Sequence, residues 1–261
     1  MTLVPKTPIS NVNLTDEEYD FPSPTTPSTF YAVATYARTG SYLLCEKLWR
    51  SGQMGAPFEY FNHFNLMLQM VSRLKVNSIQ NYVNRLFELR TSPNGVFGIK
   101  LFPEHFQFMH LARIVWLFPN LQFICLERED VLAQAISYAK AMQTSQWTNL
   151  DLSQGDPYYD YKLILNCISR IEQAKKFWDG YFRNNNIQPM RLTYEKLTSE
   201  TDSVINSILG HFVVIPDKSF TLDLPKIQKL PDKINLEWKK RLQTDLAKNN
   251  PGILKKYHNQ G

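Results

Sequence analysis

FYAVATYARTGSYLLCEKLWRSG, residues 30–52, is the stretch whose reading decides the fold. Residues 30–36 are apolar, β-branched and aromatic over the length of one buried strand. The run stops at Ala37-Arg38-Thr39-Gly40-Ser41, which brings a cation, hydroxyls and one glycine. Leu43, Leu44, Lys47, Leu48 and Trp49 then recur at helical spacing, and Gly52 stands where helices commonly end. The spacing predicts strand, tight turn, helix. That order aims the free N–H groups of the helix's first turn, with its dipole, into the turn and builds an anion site. The turn is not G-x-x-x-x-G-K-[ST]: it has one glycine and no Lys followed by a hydroxyl residue to organise Mg²⁺. Arg38 offers instead a planar fork of donors suited to a terminal oxyanion group. A metal-free anion site is the expectation, and on spacing alone a polar turn with a solvent-facing arginine satisfies the pattern equally.

Outward from this stretch the same signature returns. Val96-Phe97-Gly98-Ile99-Lys100-Leu101-Phe102 predicts a second strand after the turn Ser92-Pro93-Asn94-Gly95. Residues 121–126 predict a third, nearly all apolar and therefore central. It runs into Glu127-Arg128-Glu129-Asp130 and a helix from Val131 to about Gln143, which repeats strand, polar turn, helix. Residues 187–194 read as a fourth strand, and helices are predicted over 66–90, 104–117, 157–184, 200–212 and about 235–248. Strands separated by helices predict an α/β fold of P-loop-like kind, a central parallel β-sheet flanked by helices on both faces. Residues 1–28, with Pro5, Pro8, Pro22, Pro24 and Pro27 and no apolar periodicity, read as a Pro/Thr/Ser-rich N-terminal extension. Residues 29–261 are expected to form one domain.

The 261 residues, 43% hydrophobic and 20% charged, suffice for one sizeable core. No run of about 18 apolar residues is present, so no membrane span is expected. The N-terminus lacks a basic segment followed by an apolar one, so no secretory signal is expected either. Cys45, Cys125 and Cys167 are odd in number and far apart; buried thiols in a reducing, cytoplasmic setting fit them best. The 29 basic against 24 acidic residues give a formal charge of +5, which suits an anionic ligand without naming it. The basic residues are spread along the chain, with no stripe interleaved with aromatics, so a nucleic-acid partner is not expected.

Four positions offer chemistry. Arg128 stands at the carboxyl end of the third strand, where ligands of open parallel sheets bind, and Ser137 follows 9 residues on, in the next helix. A guanidinium there reaches a second phosphate, or else pairs with Glu127, Glu129 or Asp130. Lys100, near the end of the second strand, either meets a ligand or snorkels at a sheet edge. Glu59, just after the first helix, is the carboxylate placed to act as general base beside the anion turn. His63 ranks second for that role and His105 third. Local spacing yields no Ser-His-Asp or Cys-His arrangement and no metal-ligand cluster.

In their order, these segments resemble the motifs of the bacterial trehalose 2-sulfotransferase-like family over roughly residues 30–245. Arg38-Thr39-Gly40-Ser41-Tyr42 is similar to that family's Arg-Ser-Gly-Ser-Thr phosphosulfate loop, with Tyr42 in place of Thr. Gly55-Ala56-Pro57-Phe58-Glu59-Tyr60-Phe61 is similar to its Gly-x-Pro-x-Glu-Phe/Tyr-Phe run. Asn94-Gly95-Val96-Phe97-Gly98-Ile99-Lys100-Leu101 resembles Asn-Gly-Val-Trp-Gly-x-Lys-Leu. Arg128-Glu129-Asp130-Val131 with Gln134-Ala135-Ile136-Ser137 resembles Arg-Pro-Asp-Val…Gln-Ala-Val-Ser, with Glu129 in place of Pro.

The resemblance implies a sulfotransferase that moves a sulfuryl group from 3′-phosphoadenosine 5′-phosphosulfate to a hydroxyl, or an amine, of a small-molecule acceptor, without a metal. It implies that Arg38, Thr39, Gly40, Ser41 and Tyr42 hold the 5′-phosphate. Arg128 and Ser137 would hold the 3′-phosphate, assisted by Lys226, Gln228 and Lys229, and Trp147 would stack on adenine. Glu59 would take the acceptor's proton while Arg38 and Lys100 stabilise charge on the transferring group. Family precedent points to a sugar or glycolipid acceptor, with a secondary metabolite as the other class, and to homodimers; the exposed side of 66–90 is the expected interface. Two rival functions stand beside it. A phosphotransferase using ATP and Mg²⁺ lacks its Walker Lys-Ser pair here, and a non-enzymatic nucleotide binder leaves Glu59 without a role.

Overall fold

The computed structural model describes residues 13–22, 24–62, 65–147, 151–212 and 233–257. In chain order they form β1 (Thr29–Ala34), α1 (Ser41–Arg50), α2 (Leu66–Leu74), α3 (Ile79–Arg90), β2 (Val96–Leu101), α4 (Pro103–Leu111) and β3 (Gln122–Glu127). There follow α5 (Val131–Thr144), α6 (Tyr161–Asn184), β4 (Met190–Thr193), α7 (Tyr194–Ser199), α8 (Thr201–Phe212), α9 (Lys233–Asn249) and α10 (Pro251–Tyr257). They group into two compact units, the division falling between residues 129 and 130 and again within α6, between 171 and 172.

The larger unit holds the sheet, in the order β2-β1-β3-β4 with every pairing parallel. β1 lies inside it and is buried on both faces, which is why its sequence is a continuous apolar run rather than an alternating one. Phe30 sits opposite Phe97 and Ala32 opposite Phe123, so these residues share one face. There Phe30 packs 5.5 Å from Phe87 of α3, and Phe123 packs 5.3 Å from Phe182 of α6. Tyr31, one residue on, takes the opposite face, 5.1 Å from Phe212 of α8, and donates to the Met54 carbonyl at 2.8 Å. Helices therefore cover both faces. Gly98 sits opposite Tyr31 because a Cβ there would come within 2.3 Å of that ring. The chain leaves β1 toward β2 on one side and β3 on the other, and such a switch point opens a crevice at the carboxyl ends of the strands.

The smaller unit packs α5 against α9, with Leu132, Ala135, Leu242 and Leu246 in its core. Asp130 caps α5 by accepting from the Ala133 N–H at 3.0 Å and binds Lys239 of α9 at 2.7 Å. Among the described residues, no helix is long and apolar enough to cross a membrane. All three cysteines are free and buried.

Four expectations change. The helix predicted over 66–90 is two helices, broken where Lys75 turns left-handed at φ 51° and Ser78 accepts from the Asn81 N–H as a new N-cap. The helix over 104–117 stops at Leu111; Arg113 has φ 53° and only a 3-10 turn, Val115–Leu117, follows. β4 is shorter than 187–194, because Thr193 caps α7 and Tyr194 already belongs to it. The chain adds α10 past the last expected helix, started by Pro251, a residue suited to the first helical position.

Candidate active site

The turn after β1 is stitched from within. Thr39 is buried, and its hydroxyl donates to the Tyr36 carbonyl at 3.0 Å. It also lies 2.6 Å from the Thr35 hydroxyl, which reaches the Leu126 carbonyl at 2.8 Å. Thr35 thus joins the ends of β1 and β3 and the Thr39 side chain ties the turn to it, leaving the Thr39 backbone as what that residue can offer a ligand. Arg38 and Gly40 have φ of 65° and 77°, positive values flanking Thr39 that make a concave backbone. Glycine is required at 40, since any Cβ would also meet the Tyr194 ring at 2.6 Å. Ser41 and Tyr42 open α1, whose first-turn N–H groups have no intrahelical acceptor and lie at the positive end of the helix dipole.

Arg128, just past the end of β3, faces the same turn. Its side chain is 11% exposed, and its Nη1 donates to the Arg38 carbonyl at 3.5 Å. The guanidinium lies 4.6 Å over the Tyr194 ring. Its Nε stands 3.9 Å from Glu195 Oε1, outside hydrogen-bonding distance, and is buried without an acceptor. Glu195 Oε2 accepts instead from the Glu129 N–H at 3.1 Å. A buried guanidinium so little satisfied, beside a helix N-terminus, is a donor set that fits phosphate or sulfate. Sequence reasoning missed Tyr194 and Glu195. Their one signal was position, at the carboxyl end of the last parallel strand.

Glu59 and Lys100 form an ion pair at 2.7 Å, their side chains 19% and 7% exposed. Lys100 N–H donates to the Phe58 carbonyl at 3.0 Å, which ties β2 to the loop bearing Glu59 and so brings the two together. Asn62 Nδ2 donates to Glu59 Oε2 at 3.0 Å. Burial pushes the Glu59 carboxyl up, but the Lys100 ammonium, His105, and the hydrogen bonds from Lys100 and Asn62 outweigh it and hold it below the usual range. For Lys100, burial pushes down while the Glu59 charge, Cys45 and the Glu59 hydrogen bond outweigh it, holding the ammonium above its usual value. Both are charged at neutral pH. His105 is buried, accepts from the Phe102 N–H at its Nδ1 at 3.3 Å and stacks on Phe102. The Phe102 ring lies 6.0 Å from Lys100 Nζ and 5.4 Å from the Tyr36 ring. Burial drives the Cys45 thiol up to about 12, so it is an inert neighbour.

The larger unit thus brings together Arg38, Thr39, Gly40, Ser41, Tyr42 and Arg128, and pairs Glu59 with Lys100. Ser137 and Trp147 belong to the smaller unit. Ser137 is half-buried on α5. Trp147 is 43% exposed, its ring 6.0 Å from Tyr138 and its N–H donating to Asp151 Oδ2 at 3.0 Å. His63, Lys226, Gln228 and Lys229 lie outside the described residues.

A family model described as Stf0 sulphotransferase matches residues 30–245. Two curated relatives align over most of their length. A trehalose 2-sulfotransferase of Mycolicibacterium smegmatis is 24% identical over 259 residues, covering 83% of this chain and 95% of its own. The trehalose 2-sulfotransferase of Mycobacterium tuberculosis is 23% identical over 255 residues, covering 82% of this chain and 94% of its own. Among solved structures, a sulfotransferase from Alicyclobacillus acidocaldarius superposes with a TM-score of 0.48 at 12% identity, over 89% of this chain and 97% of that one.

Proposed function

The chain belongs to the Stf0 sulphotransferase family and is a sulfotransferase, and from that premise we propose that its donor is 3′-phosphoadenosine 5′-phosphosulfate and its base Glu59. The observation that carries the reading is Arg128: a buried guanidinium with an unsatisfied Nε, stacked on Tyr194 beside the Arg38–Gly40 backbone and the start of α1. It supports a site for a phosphorylated donor. Arg38, Thr39, Gly40, Ser41 and Tyr42 take the 5′-phosphate, and Arg128 the 3′-phosphate. Ser137 is kept as a donor contact on the strength of its Gln-Ala-Ile-Ser run, and Trp147, Lys226, Gln228 and Lys229 are proposed as further donor contacts.

In the proposed reaction the acceptor hydroxyl gives its proton to the Glu59 carboxylate while its oxygen bonds to sulfur. The bond from sulfur to the 5′-phosphate oxygen breaks, and 3′-phosphoadenosine 5′-phosphate leaves with that electron pair. Lys100 and Arg38 neutralise charge on the oxygens of the transferring group. The ion pair gives Lys100 a second task. A sulfuryl group offers it another anion, which loosens its hold on Glu59 and lets the carboxylate regain basicity as the acceptor arrives.

The relatives' names make trehalose the first acceptor to try, and the Tyr36–Phe102 ring pair near Lys100 offers a surface for a sugar face. A homodimer through the outer sides of α2 and α3, and a cytoplasmic setting, complete the proposal; light scattering tests the first. The donor is tested by thermal shift with 3′-phosphoadenosine 5′-phosphate, beside ATP with Mg²⁺ and adenosine 5′-phosphate. A ligand at about 100 times its Kd adds about 2.7 kcal/mol to the native state. Stabilisation by the bisphosphate, abolished in Arg128→Ala, is expected. Stabilisation by ATP with Mg²⁺ alone would replace the proposal with a phosphotransferase.

A further inference from the structure

Residues 14–21 precede β1 and lie outside every motif above. They pack on the larger unit through an arginine with no exposed surface. Arg90, the last residue of α3, donates from Nη2 to the Leu14 and Asp16 carbonyls, each at 3.3 Å. Asp20 Oδ1 lies 3.0 Å from Arg90 Nε, and both Asp20 oxygens also bind Arg73 of α2. Arg73 donates further to the Thr15 carbonyl at 2.6 Å, and the Phe21 N–H donates to the Leu89 carbonyl at 2.8 Å. Arg90 Nε meets Asp20 as an ion pair without hydrogen-bond geometry, and Arg90 Nη1 has no hydrogen-bond partner. A guanidinium this deep depends on the Asp20 charge and the two carbonyls, so α2 and α3 dictate the course of the segment.

What the segment delivers is Tyr19. Its buried ring lies 4.6 Å from Trp49 of α1 and 5.0 Å, edge-on, from Phe58, the residue before Glu59. Arg90 lies 5.7 Å from that ring and 5.8 Å from the ring of Tyr60, the residue after Glu59. Burial first, then the electrostatic influence of Tyr42 and Glu18, holds the Tyr19 phenol well above its usual range, so it stays protonated.

We infer that residues 14–21 are a strap on the active site and that Tyr19 is a positioning residue, locking the Glu59 loop to α1 through Phe58 and Trp49. The inference rests on the roles proposed above for Glu59 and the 38–42 turn. The ring sets where the Glu59 loop stands against α1. A misplacement of about 1 Å in such a site costs roughly 10²-fold in rate, which is what the strap prevents.

Hydrogen–deuterium exchange of the full chain without ligand tests the strap whatever the reaction proves to be. In Tyr19→Ala, residues 54–62 and 41–48 are expected to exchange roughly tenfold faster or more, with β3 and α5 unchanged. Tyr19→Phe keeps the ring and is expected to leave 54–62 protected. With 3′-phosphoadenosine 5′-phosphosulfate and trehalose, Tyr19→Ala then loses kcat about 10²-fold and Tyr19→Phe restores most of it. Should Tyr19→Ala not fold, Tyr19→Leu keeps the buried volume and is read the same way. Exchange unchanged at 54–62, or raised equally in β3, would overturn the strap. Failure of the wild type to bind the bisphosphate would sink the proposed donor, with the exchange result still deciding the strap.

Discussion

Glu59 stays ionised at neutral pH because the Lys100 ammonium is 2.7 Å away, and the same contact makes it a weaker base than a carboxylate in water. Its lowered pKa contributes stability that is present above the usual carboxylate value of 4.5 and is lost as pH falls through the folded value. The raised pKa of Lys100 contributes stability present below 10.5 and lost as pH rises through its folded value. Between those limits the pair is intact. We therefore expect kcat/KM for the acceptor to stay level on the acid side down to about pH 5; an acid limb centred above about pH 6 would point to a histidine as base. Glu59→Gln should lower turnover by about 10²–10⁴-fold. In a double-mutant cycle of Glu59→Gln with Lys100→Met, urea denaturation should give a coupling of about 0.5–3 kcal/mol. Strict additivity would deny the pair any structural role. Glu59 was legible in the sequence from its Gly-Ala-Pro-Phe-Glu run. Its pairing with Lys100 was not, because the two meet only through the backbone bond from Lys100 to Phe58.

The turn between β1 and α1 was legible as an element: apolar run, Arg-Thr-Gly-Ser, helical spacing. Its inner stitching was not. The Thr39 hydroxyl looks like a ligand group in the sequence and is tied to Thr35 and Tyr36 in the fold, which leaves that residue's backbone for a ligand. Gly40 looks like any turn glycine, yet it lies under the Tyr194 ring. Gly40→Ala is accordingly expected to lose about 1–2 kcal/mol to left-handed strain, and more to the clash. Adding Tyr194→Ala should return the clash portion alone, measured by the same urea titration. A neutral Gly40→Ala would refute this turn geometry. The helix over 66–90 misled for the opposite reason. Its apolar stripe continues through Lys75, but a stripe does not register one residue in a left-handed conformation followed by a capping serine.

At the scale of the molecule, the larger unit leans on a charge in its interior. Asp20→Asn leaves Arg90 buried with its neutralising carboxylate gone, which is expected to cost about 3–5 kcal/mol. That corresponds to a fall in melting temperature of roughly 10 °C in a domain of this size. Asp20→Leu with Arg90→Met removes both charges and should recover most of the loss, as calorimetry would show. Recovery absent in the double variant would mean that the segment is held by something other than this pair. By itself the sequence determined the α/β class, the parallel sheet, the strand–turn–helix order and the family motifs, because periodicity, turn chemistry and motif order are local. Only the tertiary structure decided which distant residues meet: Lys100 with Glu59, Tyr194 over Gly40 and Arg128, Tyr19 with Trp49 and Phe58. Such meetings follow from strand order, register and the burial of one arginine, which depend on how elements pack and are written in no single stretch of chain.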